Sequence, residues 1–428
     1  MMRVFYVVLL LGFVAGCGDS DTTTPPVQQQ PEPAGYQYSQ SSVARQLVPE
    51  LTAAEFDQLI QDNTEFALAL YQWQAERRDN VFFSPLSISL TMAMSFAGAR
   101  QQTATEMASA LRFRLPDSKL HSGLNKVLLH FDDVSAGEHP MSLQLNQASW
   151  LEQTTTLLPT YLDQLALYYG AGVYQTDFIQ QPEQARQAIN QWVAEQTQDK
   201  INELLPEGSV SPDTRLALLN TIYFQANWAQ PFAPESTEAA SFYQLSGSSE
   251  QVPMMRQTAI RAGYSEGAGY QAMRLPYANP NFSMLLLLPA EGNFNAFEQQ
   301  LTTARLDAIR AELSEHLVDL EMPKFELNQQ LNLTSALQDF GMQEAFQADV
   351  ADFSGISDSM SLFIGGVVHQ AVIAVDEFGT EAAAATGITF EVTSMPPLAE
   401  LALNRPFIYL IEEHETGAIV FMGRVLAP

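Results

Sequence analysis

Six histidines, His121, His130, His139, His316, His369 and His414, are the side chains best suited to ligate a metal or move protons near neutral pH. No two of them stand at metal-ligand spacing such as His-Glu-x-x-His. There is also no Gly-x-Ser-x-Gly elbow and no phosphate-cradling glycine loop. Catalysis by the chain therefore starts as a weak hypothesis. The stretch from Glu377 to Pro397 is more informative: Glu-Phe-Gly-Thr-Glu-Ala-Ala-Ala-Ala-Thr-Gly-Ile-Thr-Phe-Glu-Val-Thr-Ser-Met-Pro-Pro. Its small residues between Gly379 and Gly387 suit an exposed loop that bends at little cost. Counted alternately from Thr380, however, Ala382, Ala384, Thr386, Ile388 and Phe390 share one face, and Glu381 and Glu391 fall on the other. The same residues thus also read as a strand with its charges toward solvent.

Glu377-Phe378-Gly379-Thr380-Glu381-Ala382-Ala383-Ala384-Ala385 resembles, nearly residue for residue, the hinge of inhibitory serpins. In that family a protease cuts the reactive loop, which then inserts into the largest sheet. The resemblance covers about residues 48–428 through several separate segments. It implies an α+β serpin fold with about three β-sheets, eight or nine helices and an exposed reactive-centre loop. It further implies a monomer without cofactor or catalytic residues, which inhibits serine and possibly cysteine proteases as a suicide substrate. The alternative is a non-inhibitory carrier or structural protein of the same fold. Bulky or charged inward residues would mark that alternative, and Thr380, Ala382 and Ala384 are neither. A lipid-anchored hydrolase or binding protein that uses the histidines is a more distant rival.

His369 lies inside an apolar run, where an unpaired imidazole would cost about 1–3 kcal/mol, so it must find partners. On residues alone it is an ordinary core histidine. The resemblance assigns Ser84, Ser87 and Asn220 as its partners, in the polar cluster where strands part to admit the loop. By the same resemblance Glu377 pairs with Lys324 beside Trp228 at the top of the sheet, an exposed pair worth about 0–1 kcal/mol. Two counts, forward along the hinge and back from Ser394-Met395-Pro396-Pro397, place the bait bond at Thr393-Ser394, with Val392-Thr393 as the neighbouring register. Neither residue is basic, so elastase-like or subtilisin-like proteases are favoured over trypsin-like ones, with papain-like enzymes as a further class. Between Pro397 and Asn404 the chain carries about two residues more than the common family spacing.

Several elements must position these groups. Thr52 and Glu55 form a capping box ahead of an amphipathic helix, and Ser84-Pro85 caps a second, all-apolar helix running to Gly98 that must be buried. Strands are expected at 143–150, 216–228, 283–288, 317–325 and 362–376, with a hairpin from Pro406 to Val425. Further helices are expected after Pro159 and over 182–205.

The chain has 428 residues, 46% hydrophobic, enough for a large core. With 20 basic against 49 acidic residues its net charge is −29, which argues against nucleic acid or an anionic membrane surface as a direct ligand. Arg3 precedes an apolar run, Val4 to Val14, that is too short to span a bilayer. Val14-Ala15-Gly16-Cys17 then resembles the bacterial lipobox, and Cys17 is the sole cysteine. The expectation is an exported bacterial lipoprotein of the cell envelope, touching membrane only through lipid on Cys17. Residues 1–16 would be a signal peptide, 17–47 the lipidated cysteine and a disordered tether, and 48–428 the folded domain.

Overall fold

From the N-terminus the chain forms β1 (Tyr36–Ser39), α1 (Ala53–Ala75), β2 (Val81–Phe83), α2 (Pro85–Phe96), α3 (Gln101–Leu111), α4 (Asp117–Ser135), β3 (Met141–Glu152), α5 (Pro159–Tyr169), β4 (Val173–Thr176), α6 (Pro182–Gln196) and β5 (Leu216–Asn227). It continues through β6 (Glu238–Tyr243), β7 (Ser249–Gly267), β8 (Tyr270–Pro276), β9 (Phe282–Pro289), α7 (Phe294–Gln299), α8 (Thr303–Glu312), β10 (Ser314–Pro323), β11 (Phe325–Asn332) and α9 (Thr334–Asp339). The C-terminal part supplies β12 (Ile364–Val375), β13 (Gly379–Thr380), β14 (Leu398–Ala402), β15 (Phe407–Glu413) and β16 (Ile419–Val425). The structure, a computed structural model, describes residues 35–77, 80–135, 141–197, 199–380 and 395–428.

One hydrogen-bonded path has seven strands in the order β1-β4-β3-β5-β13-β12-β11. The other runs β14-β10-β7-β8-β9-β15-β16-β2, with β6 on β7. The 19 residues of β7 link two parts of this second path: its start, Ser249–Met254, pairs with β6, its middle, Met254–Tyr264, with β10, and its end, Gly263–Gly267, with β8. Three sheets result.

Local chemistry explains the elements that matter most. Thr52 and Glu55 make the reciprocal capping box of α1. Ser84 caps α2 through the Ser87 N–H, Pro85 occupies its first turn, and all twelve helical residues are buried. An all-buried helix has no amphipathic stripe to show, and α2 lies under the seven-stranded sheet against β3 and β5. The opposite face of that sheet packs a second apolar cluster built on Trp150, Ile189, Trp192 and Leu219, with α6 as its lid.

The strand expected over 317–325 breaks at Lys324, Pro323 ending β10 on one path and Phe325 starting β11 on the other, and two further boundaries differ from the sequence reading. The helix expected over 182–205 stops at Gln196, because Thr197 turns the chain: its hydroxyl donates to the Val193 carbonyl and accepts the Ile201 N–H. Asn190 Oδ1 then accepts the Leu204 and Leu205 N–H groups, which fixes that stretch as coil. The tether expected through residue 47 also ends earlier, since β1 begins at Tyr36. Tyr36–Ser39 pairs antiparallel with Val173–Thr176 at the sheet edge, and Tyr36 stands edge-on to Trp150 at 4.9 Å. Arg45 donates to Asn125 and ion-pairs with Asp132 on α4, while the Gln46 N–H donates to the Leu167 carbonyl. A polar, proline-rich composition is compatible with order when each residue finds a partner on a surface already folded.

Candidate functional site

The functional geometry lies along the seam between β5 and β12. These strands are parallel neighbours from Leu216/Ile364 up to Tyr223/Val372, with His369 directly opposite Asn220. Above Val372 they part. Gly379 and Thr380 occupy the fork, antiparallel to both sides: Thr380 pairs with Ala226 of β5 and with Val375 of β12.

Ser84, Ser87, Asn220 and His369 meet in the closed part of the seam, each at most 1% exposed. The Ser84 N–H donates to His369 Nε2 at 3.1 Å, so that nitrogen must be unprotonated. The ring proton then sits on Nδ1, 2.6 Å from Asn220 Oδ1. Asn220 Nδ2 donates in turn to Ser87 Oγ, to the Ser87 carbonyl and to Thr91 Oγ1. Burial pushes the His369 pKa down to about 3, because a second ring proton would face the Ser84 N–H with no solvent to stabilise it. The cluster is neutral and locks β5, β12 and α2 together.

The top of the fork is built differently. Lys324 lies in the one-residue break between β10 and β11, where the chain passes from one sheet path to the other, and its Nζ is 2.7 Å from Glu377 Oε2. Thr237 donates to the other Glu377 oxygen at 2.8 Å. The pair expected to be exposed is therefore half so: the Glu377 side chain is 9% exposed and that of Lys324 38%. Burial opposes the Glu377 charge, yet the Lys324 ammonium, a backbone N–H and the Thr237 hydroxyl outweigh it and hold the carboxyl below its usual range. Trp228 reaches the same turn from beneath, its N–H donating to the Phe378 carbonyl and its indole Nε1 to the Asp376 carbonyl.

Gly379 passes so close to β5 that a Cβ there would lie 2.1 Å from the Ala226 oxygen, so only glycine fits. Thr380 is fully buried, its hydroxyl 2.9 Å from that of Tyr277. Tyr277 stacks on Trp228 with centroids 4.6 Å apart. Sequence reasoning missed Tyr277, Thr237 and Thr91, none of which stands in a recognisable motif. Ala382, Ala383, Ala384, Ala385, the Thr393-Ser394 bond and Cys17 lie outside the described residues.

Residues 61–428 match the family model described as Serpin (serine protease inhibitor). The chain is a serpin. It is 35% identical to an uncharacterized serpin-like protein of Thermococcus kodakarensis, over 99% of this chain and 98% of that one. It is 37% identical to the leukocyte elastase inhibitor of Bos taurus, over 87% of this serpin and all of the relative. A crystal structure of human thyroxine-binding globulin complexed with its hormone superposes with a TM-score of 0.78 at 31% identity, covering 87% of this chain and 99% of that one. A serpin named for elastase inhibition and another named for thyroxine binding share this fold, so the fold does not by itself choose between inhibition and carriage.

Proposed function

We propose that this serpin inhibits serine proteases, and secondarily cysteine proteases, as a suicide substrate whose loop enters the β5–β12 seam. The observation that carries the reading is Thr380 in the fork, paired to both strands with its side chain in the core. Continuing that register pairs residue 380 + k with 226 − k on β5 and 375 − k on β12. Thr386 then arrives opposite Asn220 and His369 together, Phe390 reaches the foot of β5 at Leu216, and Thr393 passes two or three residues beyond the ends of both strands. The loop length fits the seam.

In the proposed mechanism the protease nucleophile attacks the Thr393 carbonyl and the amide to Ser394 breaks. The Ser394 amine leaves with a proton from the protease's general acid, and Thr393 remains esterified. Freed at one end, residues 380–393 zip down the seam. Fourteen residues at about 3.3 Å each carry the attached enzyme roughly 46 Å. Dragging the acyl carbonyl against the domain displaces it from the oxyanion donors, each worth about 2.7–4 kcal/mol, and hydrolysis stalls. Thr393, Val392 and Phe390 favour elastase-like or subtilisin-like targets, with papain-like enzymes behind them. The working protein on this reading is a monomer, exported and held at a bacterial cell envelope by lipid on Cys17.

The carrier reading has the thyroxine-binding relative in its favour. One experiment separates the two: incubation with an elastase and a subtilisin, followed by denaturing electrophoresis and mass spectrometry. The expected result is a denaturant-resistant adduct with release of a peptide from Ser394 to Pro428. Cleavage without an adduct, or no cleavage, would favour carriage.

A further inference from the structure

Downstream of the bait bond the chain is held tightly. The Leu317 N–H donates to the Pro397 carbonyl at 2.9 Å, and β14 then runs parallel to β10 with Leu398 opposite Leu317 and Glu400 opposite Asp319. Leu398 and Met395 are nonetheless 69% and 70% exposed, among the most exposed large apolar side chains described. Beside Leu398 an open cleft of about 880 Å³ lies between β14, β10 and the β7–β8 hairpin. Four carboxylates line it, Glu266, Glu312, Asp319 and Glu400, and no lysine or arginine does.

Two of the four are already engaged, Glu312 by the Tyr270 hydroxyl and Asp319 by the Ala259 N–H. Glu266 and Glu400 are exposed, and among the described residues their side chains make no hydrogen bond or ion pair. Ser265 lines the same cleft, but its hydroxyl is buried beside that of Tyr270 and is not open to the cleft. The cleft therefore offers negative charge beside an apolar lip.

Five residue steps separate Thr393 from Leu398, at most about 17 Å of chain. A standard protein interface covers about 800 Å² on each partner, a patch roughly 32 Å across. A protease centred on the bait bond thus brings its rim onto Leu398 and the mouth of the cleft. A second copy of this chain is a poor occupant, because each copy carries a net charge of −29.

Resting on the inhibitor reading, we propose that this cleft is a second docking site for the target protease. It takes lysine or arginine side chains beside the enzyme's active site, with Leu398 as the apolar contact between cleft and bait bond. The site would select a basic protease over an acidic one of the same primary specificity. As a rim charge it would act on the association rate and its salt dependence, whereas partition between inhibition and release is decided after acylation.

The test uses the full chain with a cationic and an anionic elastase, both cutting after small apolar residues. The double variant Glu266→Lys/Glu400→Lys should lower the second-order rate of inactivation of the cationic enzyme about tenfold at 50 mM salt, at the low end of the range for steering. The difference should fall below about twofold at 500 mM as screening takes over. The anionic enzyme should react no slower than with the parent. Inhibitor consumed per enzyme and melting temperature should both stay unchanged. Leu398→Ser should slow both enzymes about threefold at either salt. Rates within twofold of the parent at 50 mM salt, or an equal fall with both enzymes, would overturn the docking site while leaving the inhibitor reading intact. If the parent forms no adduct with either enzyme, both readings fall together.

Discussion

At His369 and Asn220 the β5–β12 seam is closed, uncharged and sealed from water, whereas six residues higher, at Thr380, it is forked and rimmed by an ion pair. The lower region is held by directional hydrogen bonds that cannot be exchanged for water. The upper region is held by a stacked aromatic pair and by a carboxylate whose lysine partner is partly solvated. On the proposed mechanism a seam built this way would open from the top. Thr380 already stands in that fork, and the neutral cluster would set the barrier to the residues that follow.

The hardest blow to this contrast is a charge at the fork. Thr380→Arg forces an unpaired guanidinium into a fully buried position, at a cost of several kcal/mol. The loop should still be cut, yet hydrolysis should win over insertion, so that inhibition falls at least tenfold and active enzyme returns. Glu381→Arg, whose side chain faces solvent in the continued register, should inhibit like the parent. Equal loss in both variants would reject the register.

Next in size is the cluster itself. Asn220→Ala leaves the His369 Nδ1–H and Ser87 Oγ without their partner, a loss of about 1–3 kcal/mol. Urea unfolding should show it, and the intact variant should lose inhibitory capacity faster on warming as uncut loop enters the weakened seam. A variant that melts earlier but holds its activity would separate stability from gating.

The cluster should also leave a signature in pH. His369 is depressed to about 3 and His121, buried beside Tyr169, to about 4. Both are neutral in the fold between those values and 6.5, while the unfolded chain takes up their protons. Stability should therefore fall as pH drops below 6.5, by about 1.4 kcal/mol per pH unit for each histidine. His369→Gln, whose amide can replace both ring hydrogen bonds, should remove about one proton from that slope. An unchanged slope would place the proton elsewhere.

The smallest effect belongs to the rim. Lys324→Ala should cost about 1 kcal/mol or less, since the ammonium is partly solvated and Thr237 still holds Glu377. The loss should shrink in high salt. Because the Glu377 carboxyl is depressed, its contribution exists above the unfolded carboxylate range and fades as pH falls through the folded value. A loss of 3 kcal/mol would make the rim, not the cluster, the main lock.

Much of the site was legible because its residues sit inside strong local patterns. The Ser84-Pro85 start announces a helix that must be buried, and a histidine and an asparagine within apolar strands must find partners. Other parts were illegible for a physical reason. Tyr36-Gln-Tyr-Ser is four residues in a polar stretch, and its order depends on an edge and an aromatic surface more than a hundred residues away. β7 hides its strand pattern behind Pro253, paired with Ala239 of β6, and Gly263, where the β10 and β8 pairings meet.

The sequence by itself determined the family, the α2 core helix and the alternating hinge, since caps, proline positions and a two-residue period act between near neighbours. Only the tertiary structure decided that Thr380 already sits in the fork, that Glu377 is buried, and that an acidic cleft adjoins Leu398. Each of these depends on which distant strands lie side by side, and local propensity carries no term for that.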